Sequence, residues 1–478
     1  MAASIRSGVP SSPAIRPRRP SPAAFRASAT RSRLAARLAL ALAALTALAL
    51  PAAAQEADSL DASRRAVLSW GIESEVLELL DELAAAKDSR YDGSVADLLA
   101  ASRSVKLRSG ILAWFAKTKG KAAEAFAVAV LETRDSGERE VVAAAFAYLA
   151  AIESEAALPE ARRAVENREK EWIDAAVNLL GAAGGSEEAR LLGSLIDDDE
   201  SGDELKQRAT RALGTLGDPA AVERLEALLA DSEERPATRI YAAESLGRIA
   251  AAGSAAALSE AAASEDPNLR AAVYEALGSV GAAGGAGPVE AALMEGLRDP
   301  NAKARVAAVE AVAAAGLGSA VEALEYKASR DPERAVKTAA IKALGKLGGE
   351  RATRWLADLF VDPKADAAFR ALAFGALLAC DPSSALEKAP AVFSASSTPR
   401  DKAFRAALVR ELLLVDDADL APLVEPLLYD AEIGNRSAAL EWARRNKAAS
   451  LRAAIEKVAA SDSSEAVRRR AADVLAGF

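Results

Sequence analysis

The sequence contains no histidine and a single cysteine among its 478 residues. Histidine is the commonest general base and a frequent metal ligand, so much of enzyme chemistry is excluded from the start. One cysteine cannot form an intrachain disulfide or a cysteine-based zinc site. Cys380 lacks the histidine that usually activates a thiol, so we expect it to be a small buried residue. We predict no catalytic residue, no cofactor and no metal ion, and therefore no enzyme.

Aromatic residues are also scarce, at 4%, although 51% of the residues are hydrophobic. Alanine supplies much of that apolar content, and each buried alanine removes little area from water, at about 25 cal/mol per Å². A single globular core of this composition would be thin. A repeat architecture tolerates it, because each unit packs only against its neighbours.

A repeating unit is what the chain has in abundance. An apolar anchor residue recurs every 30 to 35 residues, and this period is typical of two-helix repeats. In the unit from Asp218 to Ala250, apolar residues at helical spacing predict a first and then a second helix. The anchors lie in the second helices, at Phe115, Leu149, Leu180, Leu213, Leu246, Leu277, Val312, Leu344, Leu377, Leu412, Trp442 and Leu475.

Helix start and stop signals follow the same period. Asp-Pro pairs precede several second helices, where aspartate can cap the helix and proline suits its first turn. These pairs begin at Asp266, Asp299, Asp331 and Asp362. Glycine four residues past the anchor predicts a left-handed turn that ends the helix. These glycines are Gly184, Gly217, Gly281, Gly316 and Gly348.

A basic residue lies seven positions before most anchors. The series comprises Arg108, Lys206, Arg239, Arg270, Arg305, Lys337, Arg370, Arg405 and Arg468. It is interrupted at Val142, Ile173 and Asn435. We favour a structural ladder in which these side chains bond the aspartate-containing turns of neighbouring units. The alternative is that they line a ligand groove.

The segment DPERAVKTAAIKALGKLG, from Asp331 to Gly348, combines these signals. It resembles the short bacterial HEAT repeats related to those of phycobilin lyases, and the resemblance covers roughly Ala66 to Phe478. It implies an all-α protein, a right-handed α-solenoid of about 12 two-helix HEAT-like repeats with an armadillo-type superhelix. In such repeats the second helices line the concave face. The His–Glu pairs of the metal-dependent hydroxylases in this superfamily cannot exist here.

The sequence also predicts how the chain is divided into domains. We predict a helical cap or degenerate repeat at residues 55–93 and a continuous solenoid at 94–478. Tetratricopeptide and ankyrin repeats are disfavoured, because their Trp/Tyr/Pro and T-P-L-H positions are missing. The Ser/Pro-rich stretch from Pro390 to Asp401 predicts a loop or hinge.

Residues 1–54 carry eight arginines and no acidic residue. An apolar run from Leu38 to Leu50 and an A-x-A ending follow, which together predict a signal peptide cleaved after Ala54. The run is shorter than the roughly 20 residues of a membrane span. We therefore expect an exported protein, periplasmic or secreted, without a stable span after cleavage. The alternative is a two-part plastid transit sequence directing the protein to the thylakoid lumen.

The net charge of the chain limits the classes of partner that it is expected to bind. Loss of the eight arginines would change the formal charge from −9 to −17. Nucleic-acid binding requires a basic surface, so neither nucleic acid nor an anionic membrane is an expected partner. The acidic run from Asp197 to Glu200 lacks the spaced pattern of a calcium loop, so we interpret it as a solvated turn.

The remaining function is recognition of another protein, and the leading hypothesis is a non-catalytic scaffold of the cell envelope that binds its partner on the concave face. Variable residues two before the anchors are the candidates, with Trp172 as a partly exposed aromatic contact. The alternatives are an accessory or regulatory subunit of an enzyme, and a self-associating structural element. The candidate partner-binding residues are Arg211, Glu244, Glu275, Glu310, Lys342 and Trp172.

Overall fold

The computed structural model describes residues 59–284, 287–396 and 401–478, and these ranges contain helices and turns but no strand. The expected signal peptide lies outside them. The described residues form two compact units that divide after Ala122. Each unit is built from paired helices, and the fold is an all-α solenoid.

The first unit contains four described helices. They are α1 (59–70), α2 (Glu73–Ala86), α3 (Asp92–Ala101) and α4 (Val105–Thr118). Helix α2 packs against α4, and Leu83, Leu99 and Ile111 are fully buried. The described part of the stretch expected to be a cap or degenerate repeat, residues 59–93, comprises α1, α2 and the start of α3.

The second unit alternates first and second helices from residue 123 to the end. The first helices are α5 (Glu124–Glu132), α7 (Leu158–Glu166), α9 (Ser186–Asp197), α11 (Val222–Ala230), α13 (Ala255–Ala261), α15 (Gly287–Gly296), α17 (Val321–Arg330), α19 (Gly349–Val361), α21 (Pro382–Ala395), α23 (Ala421–Val424) and α25 (Arg452–Ser461). The second helices are α6 (Arg139–Ala151), α8 (Ile173–Ala183), α10 (Gly202–Leu216), α12 (Pro236–Ile249), α14 (Pro267–Gly284), α16 (Ala302–Ala314), α18 (Arg334–Leu347), α20 (Ala367–Cys380), α22 (Lys402–Leu414), α24 (Ile433–Arg445) and α26 (Glu465–Ala476).

The predicted anchors form the core. Every anchor from Phe115 to Leu412 is 0% exposed, and Trp442 is 1% exposed. Leu475 is half-buried on α26, which packs against α24 and α25. The core is therefore a row of small contacts between successive repeats, as the composition suggested.

Consecutive second helices contact each other more extensively than consecutive first helices do. The cause is a glycine directly after the anchor, which faces the residue directly before the next anchor. A Cβ atom on Gly247 would lie 2.8 Å from the Cα of Ala276, and one on Gly278 would lie 2.7 Å from the Cα of Ala311. The same arrangement joins Gly181 to Ala212, Gly214 to Ser245 and Gly345 to Ala376. Only glycine permits this approach of two helices.

Three of the basic residues before the anchors, Arg270, Arg305 and Arg405, bind an aspartate turn of the next repeat, and we call these contacts the turn ladder. Arg239 and Arg370 instead donate to the backbone carbonyls of Leu229 and Phe360. Arg270 donates two hydrogen bonds to the carboxylate of Asp299, of 2.7 and 2.8 Å. Arg305 binds the carboxylate of Asp331 in the same bidentate way, with both bonds at 3.0 Å. Arg305 also donates to the backbone carbonyl of Asp299, at 2.8 Å. Each of these arginine–aspartate pairs therefore connects a second helix to the turn of the next repeat.

The turn ladder continues near the C-terminus, with one correction. Arg405 donates to Asp430 at 2.9 Å. Asn435 was expected to interrupt the series, but the neighbouring Arg436 replaces it. Arg436 donates to the Asp430 carbonyl at 2.7 Å and to the Asp462 carboxylate at 3.1 Å. One helical position of shift still leaves a long arginine side chain within reach of the turn.

Two other local predictions need correction. Three of the glycines four past an anchor have a positive φ, namely Gly217, Gly316 and Gly348. Gly184 has φ −77° and Gly281 lies inside α14, so neither forms the predicted left-handed turn. The predicted loop at 390–401 is wrong at its start, because Pro390 lies inside α21, whose buried face includes Ala385 and Val392. Residues 397–400 of that stretch lie outside the described residues.

Candidate functional site

Five predicted partner-binding residues occupy one equivalent position on five consecutive second helices. We call this set the charged row: Arg211 on α10, Glu244 on α12, Glu275 on α14, Glu310 on α16 and Lys342 on α18. Glu244 is half-buried and the other four are exposed. Each of these helices packs on the next, so the row follows the stacking direction. The sequence period therefore placed all five on one surface of the second helices.

The three glutamates of the row interact electrostatically across the helices. Glu275 is an exposed residue, but neighbouring atoms partly desolvate its carboxylate. This desolvation raises the pKa of Glu275, and repulsion from Glu244 and Glu310 raises it further. Lys303 lowers it only in part. Within the described part of the chain, none of the three glutamates forms an ion pair.

A polar pocket lies at the α10 end of the charged row. Its volume is about 570 Å³, and α8, α10 and α12 form its walls. The Arg211 guanidinium lies over the Tyr241 ring, 5.1 Å from its centroid. Arg248 also lines the pocket, and neither Arg211 nor Arg248 forms an ion pair with any described residue. Its full lining is Asn178, Glu204, Gln207, Arg208, Arg211, Ala212, Thr215, Tyr241 and Arg248.

Sequence reasoning missed Tyr241 and Arg248. The position of Tyr241, five before the anchor, holds alanine in the next two repeats, at Ala272 and Ala307. Tyr241 is the one aromatic residue at this position among the repeats, and this was the available signal. Arg248 is two past its anchor, and its basic character had no counterpart in the unit before or after it.

Trp172 is not the partly exposed contact that the sequence suggested. It is only 7% exposed, and its ring stacks on Phe146 with centroids 6.0 Å apart. Its backbone N–H donates to the Glu169 carbonyl at 2.8 Å, which fixes it at the start of α8. In a chain with few aromatic residues, Trp172 fills the space between α6 and α8. By contrast, Trp70, the last residue of α1, is 88% exposed.

The described residues offer little chemistry for catalysis. They contain no group of three or more His, Cys, Asp or Glu side chains that could hold a metal ion. Asp197 pairs with Arg224 and Asp198 with Arg168, in agreement with the interpretation of the acidic run as a surface turn. Cys380 is half-buried rather than buried, and burial raises the pKa of its thiol, which keeps it protonated. None of the helices in the described ranges is both long and apolar enough to cross a membrane.

Comparison with solved structures finds helical-repeat proteins. Importin beta is 12% identical, with a TM-score of 0.49 over 85% of this chain and 70% of that one. Kap121p is 14% identical, with a TM-score of 0.38 over 86% of this chain, which spans about half (50%) of the length of Kap121p. The complex of CpcE and CpcF of phycocyanin lyase from Nostoc sp. PCC7120 is 20% identical, with a TM-score of 0.29 over 60% of this chain and 94% of that one. These similarities concern the fold alone.

Sequence comparison is more decisive about ancestry. Curated protein sequences gave no match. The family profile described as Spirochaete HEAT repeat protein, however, matches residues 68–474. That range includes the whole turn ladder from Arg270 to Asp462 and all five residues of the charged row. The resemblance to HEAT repeats is thereby confirmed, and the chain belongs to the Spirochaete HEAT repeat protein family.

Proposed function

We propose that the protein is a non-catalytic scaffold of the cell envelope that binds another protein through the charged row and the second-helix surface around it. The observation that carries this proposal is the difference in pairing. Charges in the turns are bonded to neighbouring repeats, whereas the five charges of the row have no ion-pair partner within the described residues. Exposed, unpaired charges in a fixed order add little to folding but can select a complementary partner.

The proposed location in the envelope, periplasmic or secreted, is supported by the sequence of residues 1–54. Arginines, a short apolar run and a small-residue cleavage motif form the pattern of an exported precursor. N-terminal sequencing of the protein purified from its native host would test this. We expect the mature chain to begin at Gln55, and an intact N-terminus would contradict export by this route.

The binding surface can be tested by site-specific photocrosslinking of residues 55–478 in native envelope extract. Crosslinkers at Thr215 and Ser279 would lie on the second-helix surface beside the charged row. Matched control crosslinkers at Glu223 on α11 and Tyr326 on α17 would lie on exposed first-helix positions. We expect one protein to be captured at the first two positions only, and to be lost when Glu275 is changed to lysine.

Other outcomes would support the alternatives. A small molecule or metal that co-purifies, with turnover that depends on it, would favour an enzyme or its accessory subunit. Crosslinks only between copies of this chain, together with mass that grows with concentration in light scattering, would favour a self-associating element.

A further inference from the structure

The charged row has an order as well as a location. Along the stacked second helices, one positive residue, three negative residues and one positive residue follow each other. The positive residue at the first end is Arg211, beside the pocket, and the one at the other end is Lys342. This order is symmetrical, so it reads the same in both directions along the stack.

The pocket around Arg211 is suited to a carboxylate. Stacking on Tyr241 occupies the face of the guanidinium and leaves its N–H groups, which point along its plane, free to donate. Arg248 adds a second guanidinium to the lining. Arg208 is already paired with Asp174 at 2.8 Å, and Glu204 is the one carboxylate in the lining, so the pocket is cationic overall.

The neighbouring glutamates exclude an extended polyanion. Nucleic acid or an anionic lipid surface that reached Arg211 would also meet Glu244 and Glu275 in the adjacent repeats, and like charges would repel it. A ligand that satisfies both regions must therefore change its own charge along its length. A polypeptide does so readily, because each side chain is chosen independently.

The repeat spacing fits an extended polypeptide. Packed helices lie about 8–10 Å apart. An extended chain in the polyproline II conformation advances about 3.1 Å per residue and completes one turn in three residues, so side chains three apart lie on the same side, about 9 Å from each other. A side chain at every third position can therefore meet each member of the charged row in turn.

We propose that the charged row binds an extended segment of a partner protein with charged residues at every third position, in the order acid, base, base, base, acid. The first acid enters the Arg211–Arg248 pocket, the three bases face the glutamates, and the last acid meets Lys342. Because the order is symmetrical, it does not depend on the direction of the bound chain. This inference rests on the proposed function, since it names the kind of segment that the scaffold recognises.

Two synthetic peptides of identical composition test it. The matched peptide carries glutamate and lysine in the proposed order with threonine and serine spacers, and blocked termini remove the end charges. The permuted peptide carries the same residues in the order base, acid, base, acid, base. By fluorescence anisotropy with residues 55–478 at roughly 50 mM salt, where screening is weak, we expect the matched peptide to bind about tenfold more tightly or better. Equal binding of both, or no binding of either, would overturn the proposal.

A charge exchange sharpens the test. Glu275→Lys should weaken the matched peptide by about tenfold, and a peptide whose middle base is replaced by an acid should regain that affinity on the variant. Glu223→Lys on α11 makes the same charge change on a first helix, and we expect it to leave the matched peptide unaffected within about twofold. Circular dichroism confirms that each variant is folded.

The outcomes also separate this inference from the proposed function. If neither peptide binds but the crosslinkers at Thr215 and Ser279 still capture a protein, the surface is correct and the charge order is wrong. If neither peptide binds and those crosslinkers also capture nothing, both the charge order and the proposed function are wrong.

Discussion

The turn ladder and the charged row use the same residue types in the same repeats, but they differ in burial and pairing. Arg305 and Asp331 are 7% and 3% exposed and bond each other twice. Arg211 and Glu275 are exposed and have no ion-pair partner among the described residues. The ladder arginines lie seven residues before the anchor and the row residues lie two before it, so the two sets are five residues apart on the second helix. A repeat protein can thus assign one set of charges to cohesion between units and leave another set available to a partner.

The largest loss of stability is expected when one ion pair of the turn ladder is removed. Asp331→Ala leaves the buried Arg305 guanidinium without its carboxylate, and we expect a loss of about 3–5 kcal/mol in the free energy of unfolding. Urea denaturation followed by circular dichroism measures it.

The matched control for this ion pair is an exposed pair. Glu350→Ala removes the partner of Arg354 on the surface of α19, and we expect a change of less than about 0.5 kcal/mol. The double change Arg305→Met and Asp331→Leu should recover part of the stability, because the buried guanidinium is removed together with its carboxylate. Lys327 and the Glu333 N–H still lose Asp331 as a partner. A loss in Asp331→Ala no larger than in Glu350→Ala would remove the distinction between ladder and surface pairs.

The next effect concerns the close contact between second helices. Gly278→Ala introduces a Cβ about 2.7 Å from the Cα of Ala311, so α14 and α16 must separate. We expect a loss of about 1–3 kcal/mol from overpacking, despite the better helix propensity of alanine. Gly253→Ala is the control, because a Cβ there meets nothing within 4 Å. Equal urea midpoints for the two variants would show that the glycines are not needed for packing.

A smaller effect should appear on acidification. Burial opposes ionisation of Asp331, but hydrogen bonds from Arg305 and the backbone of Glu333 outweigh it, and the pKa of Asp331 lies below its usual value. Its stabilising contribution is present above the unfolded pKa of about 3.9 and is lost as the pH falls through the lower folded value. Unfolding free energies measured between about pH 5 and pH 3 should therefore fall less steeply in Asp331→Asn than in the wild type. Parallel pH profiles would contradict this.

The smallest effect is expected in the charged row. Desolvation and repulsion raise the pKa of Glu275, so its ionised form opposes folding slightly and this cost disappears as the pH falls. Glu275→Gln should leave the unfolding free energy at pH 7 unchanged or raise it, within about 0.5 kcal/mol. A clear loss of stability would mean that the row supports the fold, and the contrast with the turn ladder would no longer hold.

Most of the fold could be predicted from the sequence because the determinants repeat. An anchor such as Leu213 and a turn such as Asp299-Pro300 have equivalents in other repeats. An ambiguous helix boundary in one repeat can therefore be assigned from the equivalent positions of the others. Local deviations could not be predicted in this way. Asn435 breaks the sequence pattern, but Arg436 reaches the same turn one position later. Trp172 has no equivalent in other units, so only the structure shows that it stacks on Phe146.

The candidate site was predictable in part for the same reason. The period places Glu244, Glu275 and Glu310 at equivalent positions, and Glu275 lies close enough to the other two for their charges to raise its pKa. Tyr241 could not be found by looking for what repeats, because it is the one aromatic residue at its position, and Arg248 differs from Thr215 and Ser279 at the equivalent positions of the adjacent units. Residues that deviate from a repeat are thus the better place to search for specificity.

The turn ladder also has a consequence for how such a chain can change in length. Arg305 belongs to one unit and its acceptor, Asp331, to the next, while Asp299 in the unit of Arg305 accepts from Arg270. This unit therefore carries both a donor and an acceptor. Duplicating its DNA sequence would insert a segment that bonds correctly on both sides, and deleting it would leave Arg270 and Asp331 as matching partners. A gene built this way can lengthen or shorten its product without designing a new junction.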